Sequence, residues 1–290
     1  MARSMRSQAR AVLKRFLATN PQNKSKSNSI SIRTHSEYAG ALARIGRHLK
    51  VSRLKQITPE MANKYLAERR EDLASQATLD LERGALSKLI GQKLKVVKAI
   101  NVEALNSRSY NDTQINLLLK NADKRHQVAI KLAAESGLRA VEIGRMELAK
   151  NRKATSARKW DPNRFVGMDG VKYTVKGKGG LVREVMVSHS LHKELQELKV
   201  TEKVVVTDRS VKYEPKFDVP FGQRISNIFS ELSKMVIGFS HGFHGLRHSY
   251  AQKRLDDIKT ALHCSDEYAR KVLSQELGHF RPDITKTYLR

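Results

Sequence analysis

The hydrophobic pattern of the chain follows a helical period almost throughout and alternates clearly in one place only. Val171, Tyr173 and Val175 recur at every second residue, Lys176-Gly177-Lys178-Gly179-Gly180 interrupts, and Val185 and Val187 resume the alternation. Side chains two apart share one face of a strand, so the pattern predicts a β-hairpin with a lysine-bearing, glycine-rich turn. Helical patterns on both sides then restrict the chain to a mainly α fold carrying a small antiparallel sheet.

The helical patterns fall into two groups. Tyr38, Leu42, Ile45 and Leu49 share a helical face, and Thr58-Pro59-Glu60 reads as a helix start: a hydroxyl cap, proline in the first turn, and an acid at the positive dipole end. Met61, Tyr65, Leu66 and Leu73 give that helix its apolar side, and a third pattern runs from Leu79 through Leu86, Leu89 and Ile90. Polar, aperiodic stretches bound this group. Residues 21–32 read as a flexible connection, and after residues 100–110 Asn111 with Gln114 forms a capping box that opens a new helix. The expected organisation of the 290 residues is a basic segment over 1–30, a small helical domain over 31–107 and a second domain over 108–290. In the second domain Val128, Leu132 and Ala133 mark a helix reaching Gly137. A short apolar run, Val204–Val206, precedes a remainder that reads as helical.

Charge narrows the partner. Lys+Arg total 55 against 29 Asp+Glu, a net +26, and a field of that sign attracts polyanions, nucleic acid foremost. Arg44, Arg47, Lys50, Arg69, Arg70, Arg83, Lys88 and Lys93 lie on the polar helix faces, as DNA contacts or as a solvated surface. The first twenty residues contain no acid. Arg3, Arg6, Arg10 and Lys14 fall on one helical face and Met5, Ala9, Val12 and Phe16 on another, which suits a basic helix beside DNA and also a mitochondrial presequence. Cys264 is the single cysteine, so no intramolecular disulfide and no thiol-rich metal site can form, in keeping with a reducing cytoplasm. No run of 18 apolar residues exists, so no membrane-spanning helix is expected.

Four segments of the second half carry chemistry: ESGLRAVEI with Arg139, the turn with Lys176 and Lys178, HGFHGLRHSYA with His244 and Arg247 three apart, and LGHFRPDITKTYLR with His279 and, nine residues on, Tyr288. Together they suit cleavage of a phosphodiester without a metal ion. Two arginines can hold both non-bridging oxygens, because a guanidinium is a planar fork that stays protonated. A lysine on a glycine turn can protonate a leaving oxygen, and histidine accepts or donates protons near neutrality. Tyrosine, with an ordinary pKa of about 10, becomes a nucleophile beside cations that stabilise its phenolate.

These segments resemble the signature boxes of the tyrosine recombinases, the phage-integrase and Xer-type site-specific enzymes: an arginine box at GLRAVEI, a hairpin lysine in GKGG, H-x-x-R at HGLRH, and LGH followed at nine residues by tyrosine. The resemblance covers residues 108–290 well and the N-terminal helices only in pattern and position. It implies a helical core-binding domain at 31–107 and a mixed α/β catalytic domain at 108–290. It further implies that Arg139 and Arg247 clamp the scissile phosphate, that Lys178 (or, less suitably, Lys176) protonates the 5′-oxygen, and that His244 is general base or phosphate donor. His279 then hydrogen-bonds the phosphate and Tyr288 attacks it, leaving a 3′-phosphotyrosine and a free 5′-hydroxyl, with no metal, cofactor or ATP. Glu142, one turn after Arg139, is a supporting residue. The implied partners are double-stranded DNA at recombination sites, three further copies forming a tetramer on two duplexes with a Holliday-junction intermediate, and an accessory directionality factor.

Some features depart from that pattern. The chain given ends two residues after Tyr288, where related enzymes continue into a segment that packs on a neighbouring protomer. The stretch from Ala251 to Leu277 is long for its place, and the N-terminal extension is short for a separate arm-site domain, though residues 1–20 make a minimal version. His241, His244 and His248 evoke a zinc site, but no nearby cysteine completes it. The competing functions are a type IB topoisomerase, which needs no pair of specific sites, and a catalytically silent DNA-binding regulator. Within the recombinases, integration or excision of a mobile element competes with chromosome-dimer resolution.

Overall fold

In the computed structural model, residues 3–17, 29–72, 75–100 and 106–289 are described, the side chains of Lys178 and Ile284 excepted. The chain divides into two compact units, Met1–Leu105 and Asn106–Arg290.

The first unit is helical: α1 (Met5–Lys14), α2 (Ile32–His48), α3 (Pro59–Asp72) and α4 (Gln76–Ile90). Thr58 caps α3 as expected, its Oγ1 accepting from Met61 N–H at 3.3 Å. Leu42, Ile45, Leu66 and Leu86 form the centre of the core, joined by Ala9 and Leu13 of α1. Ala9, as expected, and Leu13, rather than Val12, are thus the fully buried residues of the N-terminal helix. Ile30 is buried and Ser31 caps α2, so the expected connection is shorter at its C-terminal end; residues 21–28 of it, and Leu73, lie outside the described residues. Glu82 is buried beneath Tyr65, Arg69 and Arg44, and the Tyr65 hydroxyl donates to it at 3.0 Å. Two of the cations that the charge pattern offered to DNA, Arg44 and Arg69, therefore also balance an internal carboxylate.

The second unit begins with α5 (Asp112–Lys120), opened by the capping box: Asn111 Oδ1 accepts from Gln114 N–H at 2.8 Å, and Asn111 N–H donates to Gln114 Oε1 at 3.0 Å. There follow α6 (Lys124–Ser136), α7 (Ala140–Ile143), β1 (Met146–Leu148), β2 (Val171–Lys176), β3 (Val182–Val187), α8 (His189–Glu197), β4 (Val206–Asp208), β5 (Val211–Tyr213), α9 (Gly222–Ile237), α10 (His244–Leu262) and α11 (Asp266–Glu276). A 3-10 turn, Pro282–Thr287, leads to Tyr288. The hairpin forms as its alternation dictates, with Tyr173 opposite Val185 and Val171 opposite Val187. Strand β1 adds a third antiparallel member, and β4–β5 is a second small hairpin where the remainder was expected to be helical. The inner faces of β2 and β3 pack on Val128, Leu132 and Ala133 of α6 and on Phe229 of α9. Residues 251–277, long for a link, are the rest of α10 and all of α11, whose Ile258, Val272 and Leu273 form a separate core that also takes in Tyr288. The β1–β2 connection is fastened to α11, with Asp161 N–H donating to Gln275 Oε1 at 2.7 Å and Phe165 N–H to Glu276 Oε1 at 2.8 Å.

Candidate active site

Two glycines in the left-handed region aim the site. Gly137 (φ 62°) ends α6 and turns the chain so that Arg139 becomes the N-cap of α7. A Cβ there would lie 2.6 Å from the Tyr250 ring. Gly278 (φ 75°) ends α11 and presents His279, and a Cβ there would lie 2.8 Å from Arg183 Cδ. Both are places where left-handed backbone and close approach leave room only for glycine, which accounts physically for the GLR and LGH segments.

Arg139, Arg247, His244, His279 and Tyr288 come together at this point. Arg247 is fully buried on the first turn of α10, where Nη1 donates to the Gly137 carbonyl and Nη2 to the Leu277 carbonyl at 2.5 Å. It thereby ties together the two glycine turns. Its guanidinium lies 5.3 Å from the Tyr288 ring centroid. Arg139 Nη2 donates to His279 Nε2 at 2.9 Å, and the same Nε2 is 3.4 Å from Tyr288 Oη. Arginine has donors only, so His279 Nε2 is an acceptor and the imidazole carries its proton on Nδ1. The Tyr288 ring is 95% covered, packed edge-on to His248 at 5.0 Å and tilted against His244 at 5.6 Å. Lys178 opens the turn between β2 and β3 as the hairpin pattern predicted, but its side chain lies outside the described residues. Lys176, at the end of β2, is exposed.

Glu142 is the hub rather than an accessory. Its carboxylate accepts from Arg139 N–H at 2.9 Å, from Arg139 Nη1 at 2.7 Å and from Arg183 Nη2 at 2.7 Å, with Arg247 Nη1 at 3.7 Å. Burial alone would raise its pKa, but Arg183, Arg247 and Arg139 hold it down to about 2. Burial and the neighbouring Arg139 lower Arg247 to about 10. Glu142 and Tyr288 more than offset the burial of Arg139, whose pKa is raised. Desolvation and the guanidiniums, Arg247 first, lower His279 to about 4. The same causes lower His244 to about 3, although the residue as a whole is exposed. Both imidazoles are therefore neutral at pH 7.

Arg183 was not visible as a site residue in the sequence, and His248 stood out there only as part of a zinc set that no cysteine completes. Arg183 left a legible trace: it stands in the same alternating phase as Val185 and Val187, a charged residue on the inward face of a strand. His248 follows His244 by four residues and thus shares its helical face. Among the described residues no group of three or more His, Cys, Asp or Glu side chains is placed to hold a metal ion, and no described helix is long and apolar enough to cross a membrane.

The depressed histidine pKa has a consequence for stability. The unfolded chain takes up protons near the ordinary value of 6.5, before folded His279 does at about 4. This contribution is complete above about pH 6.5 and is lost as pH falls towards 4. Thermal melts from about pH 8 to pH 5, above the carboxylate range, should show a declining Tm for the wild type and a flatter profile for His279→Gln. A variant as steep as the wild type would refute the assignment.

Residues 9–93 match the family described as phage integrase, N-terminal SAM-like domain. No curated protein matches the chain. Solved structures that it resembles include lambda integrase residues 75–356, a dimer bound to a COC′ core site (17% identity, 98% of this chain and 94% of that chain covered, TM-score 0.58). Another is XerH site-specific recombinase in a post-cleavage complex with palindromic difH substrate (17%, 99% and 90%, 0.56). A third is the Tn1549 transposon integrase with transposon right-end DNA (14%, 99% and 95%, 0.57). The chain has the fold of these recombinases and integrases, helical with small antiparallel sheets, and the family match falls within its first unit.

Proposed function

We propose that this chain, built on the tyrosine recombinase fold, is a site-specific DNA recombinase that cuts and rejoins strands through a covalent link to Tyr288. The observation that carries the reading is the convergence of Tyr288 Oη, Arg139 and a neutral His279 within 3.4 Å links, with Arg247 beneath the tyrosine ring. In this reading the two guanidiniums bind the non-bridging oxygens of the scissile phosphate. Tyr288 Oη attacks phosphorus as its proton passes to a neighbouring imidazole. His279 Nε2, 3.4 Å from Tyr288 Oη, becomes the acceptor once Arg139 has turned to the phosphate, with the His244 ring 5.6 Å from that of Tyr288. The bond from phosphorus to the 5′-oxygen breaks, Lys178 donates a proton to that oxygen, and a 3′-phosphotyrosine remains. Religation is the reverse. It needs no ATP because the ester conserves the bond.

The first unit, with α1 part of its core and the exposed basic face of α1 turned to DNA, then acts as the core-binding domain, and residues 108–290 as the catalytic domain. Four copies on two duplexes would exchange strands in sequence, with an accessory factor setting direction, inside the cell where the DNA is. The net charge of +26 favours a mobile-element integrase over a dimer resolvase. Nicked suicide duplexes covering the flanks of the protein's own gene test the reading. The wild type should form an adduct that survives a denaturing gel, and peptide mapping should place the nucleotide on Tyr288. An adduct on another residue, or none across those flanks, sinks it.

A further inference from the structure

Resting on that reading, we infer that Arg183 is a positioning residue of the cleavage reaction: a buried third guanidinium that balances Glu142 and so leaves Arg139 and Arg247 with two uncompensated positive charges for the phosphate.

Strand β3 carries an arginine at a position whose alternation calls for an apolar side chain. Arg183 occupies the inward phase of β3 and is 1% exposed. Burying an unpaired charge is costly, and its pKa is accordingly lowered by desolvation, partly offset by Glu142. One of its terminal nitrogens, Nη2, is satisfied by Glu142 at 2.7 Å, whereas Nε and Nη1 have no hydrogen-bond partner among the described residues. The same carboxylate meets Arg139 at 2.7 Å and Arg247 at 3.7 Å. Three guanidiniums thus share one carboxylate. Counted over the three guanidiniums and Glu142 alone, apart from Lys178 and the imidazole that takes the Tyr288 proton, the balance is an excess of two positive charges. A scissile phosphodiester carries one negative charge, and the attacking phenolate brings a second, so the five-coordinate transition state carries two. The excess matches the transition state rather than the ground state, which is the condition for electrostatic catalysis.

Without Arg183, the Glu142 carboxylate would be shared between the two clamp arginines alone and would cancel half of their charge. Arg183 also fixes the place of the lysine-bearing turn. Strand β3 leaves that turn at Val182, Gly177 N–H donates to the Leu181 carbonyl at 2.8 Å, and a Cβ on Gly177 would lie 3.3 Å from Glu142 Oε1. The ion pair of Arg183 with Glu142 therefore fastens the hairpin to the arginine box.

The test is single-turnover cleavage by full-length protein on the suicide duplex that the wild type cuts, beside the same duplex with a neutral methylphosphonate at the scissile position. On the phosphodiester Arg183→Met should be about 100-fold slower, in the range found when one donor to a developing oxyanion is removed. On the methylphosphonate, whose transition state carries one charge less, the gap between Arg183→Met and the wild type should shrink to about 5-fold or less. Loss of general packing would slow both substrates alike, and that result would overturn the proposal, as would wild-type cleavage of the phosphodiester by Arg183→Met. Should Arg183→Met melt too low for assay, Arg183→Lys and Arg183→Gln replace it. The lysine variant, which keeps the charge, should cleave at least about 10-fold faster than the glutamine variant, and equal rates would overturn the proposal. Failure of the recombinase reading has its own signature: no adduct at Tyr288 with the wild type on either duplex.

Discussion

Tyr288→Phe is expected to abolish adduct formation, a loss of at least about 10⁴-fold in strand cleavage, while the protein folds and binds DNA as the wild type does. The two expectations come from different parts of the same side chain. The ring is a packing element, edge-on to His248 and set 5.3 Å from the Arg247 guanidinium, and phenylalanine keeps both contacts. The hydroxyl makes a long approach, 3.4 Å, to a histidine nitrogen already engaged by Arg139. Its removal should therefore cost no more than about 1 kcal/mol of stability. The chemistry, in contrast, has no substitute nucleophile at that point. Gel-shift affinity within about 3-fold of the wild type and a Tm within a few degrees would show that only the reaction has been lost. Adduct formation by the variant at a comparable rate would remove Tyr288 from the mechanism.

Glu142→Ala carries the second large effect, and it falls on stability. Three arginines converge on this carboxylate, two of them with next to no exposure, and alanine would leave their charges facing one another with no carboxylate between them. Removing one partner of a buried ion pair costs about 3–5 kcal/mol. The carboxylate's own titration gives a consistent figure. A folded pKa of about 2 against an ordinary 4.5 corresponds to about 3 kcal/mol. The folded value is the lower one, so this stabilisation is complete above about pH 4.5 and disappears as pH falls towards 2. Urea unfolding of the second unit at pH 7 should show a loss of that size in Glu142→Ala. Glu142→Gln, which can still accept the Arg139 N–H, should lose less. A Glu142→Ala protein as stable as the wild type would mean that the arginines do not depend on the carboxylate.

Much of the site was legible in one dimension. The spacing of Arg139, Lys178, His244, Arg247, His279 and Tyr288 could be listed from the boxes, and all but the Lys178 side chain, which is not described, now have a place. What the boxes concealed was the connection among them. Glu142 looked like support because its helical spacing from Arg139 was all that could be seen. Its contacts with Arg183 and Arg247 come from residues 41 and 105 positions further along the chain, and no periodicity reports them. The short strands β1, β4 and β5 escaped for another reason: three residues are too few for an alternation to stand out from a helical background.

Elements governed by local rules could be read directly from the order of residues. The hairpin followed from alternation, α3 and α5 from their caps, and the turns before Arg139 and His279 from glycines that can take a left-handed backbone. The sharing of charge, by contrast, was set by packing in three dimensions. Burial raises the cost of every unpaired ion, and it left three arginines competing for one carboxylate while stripping protons from two histidines. That outcome depends on desolvation and on distances across the core. Both arise only when segments far apart in the chain close over the same space.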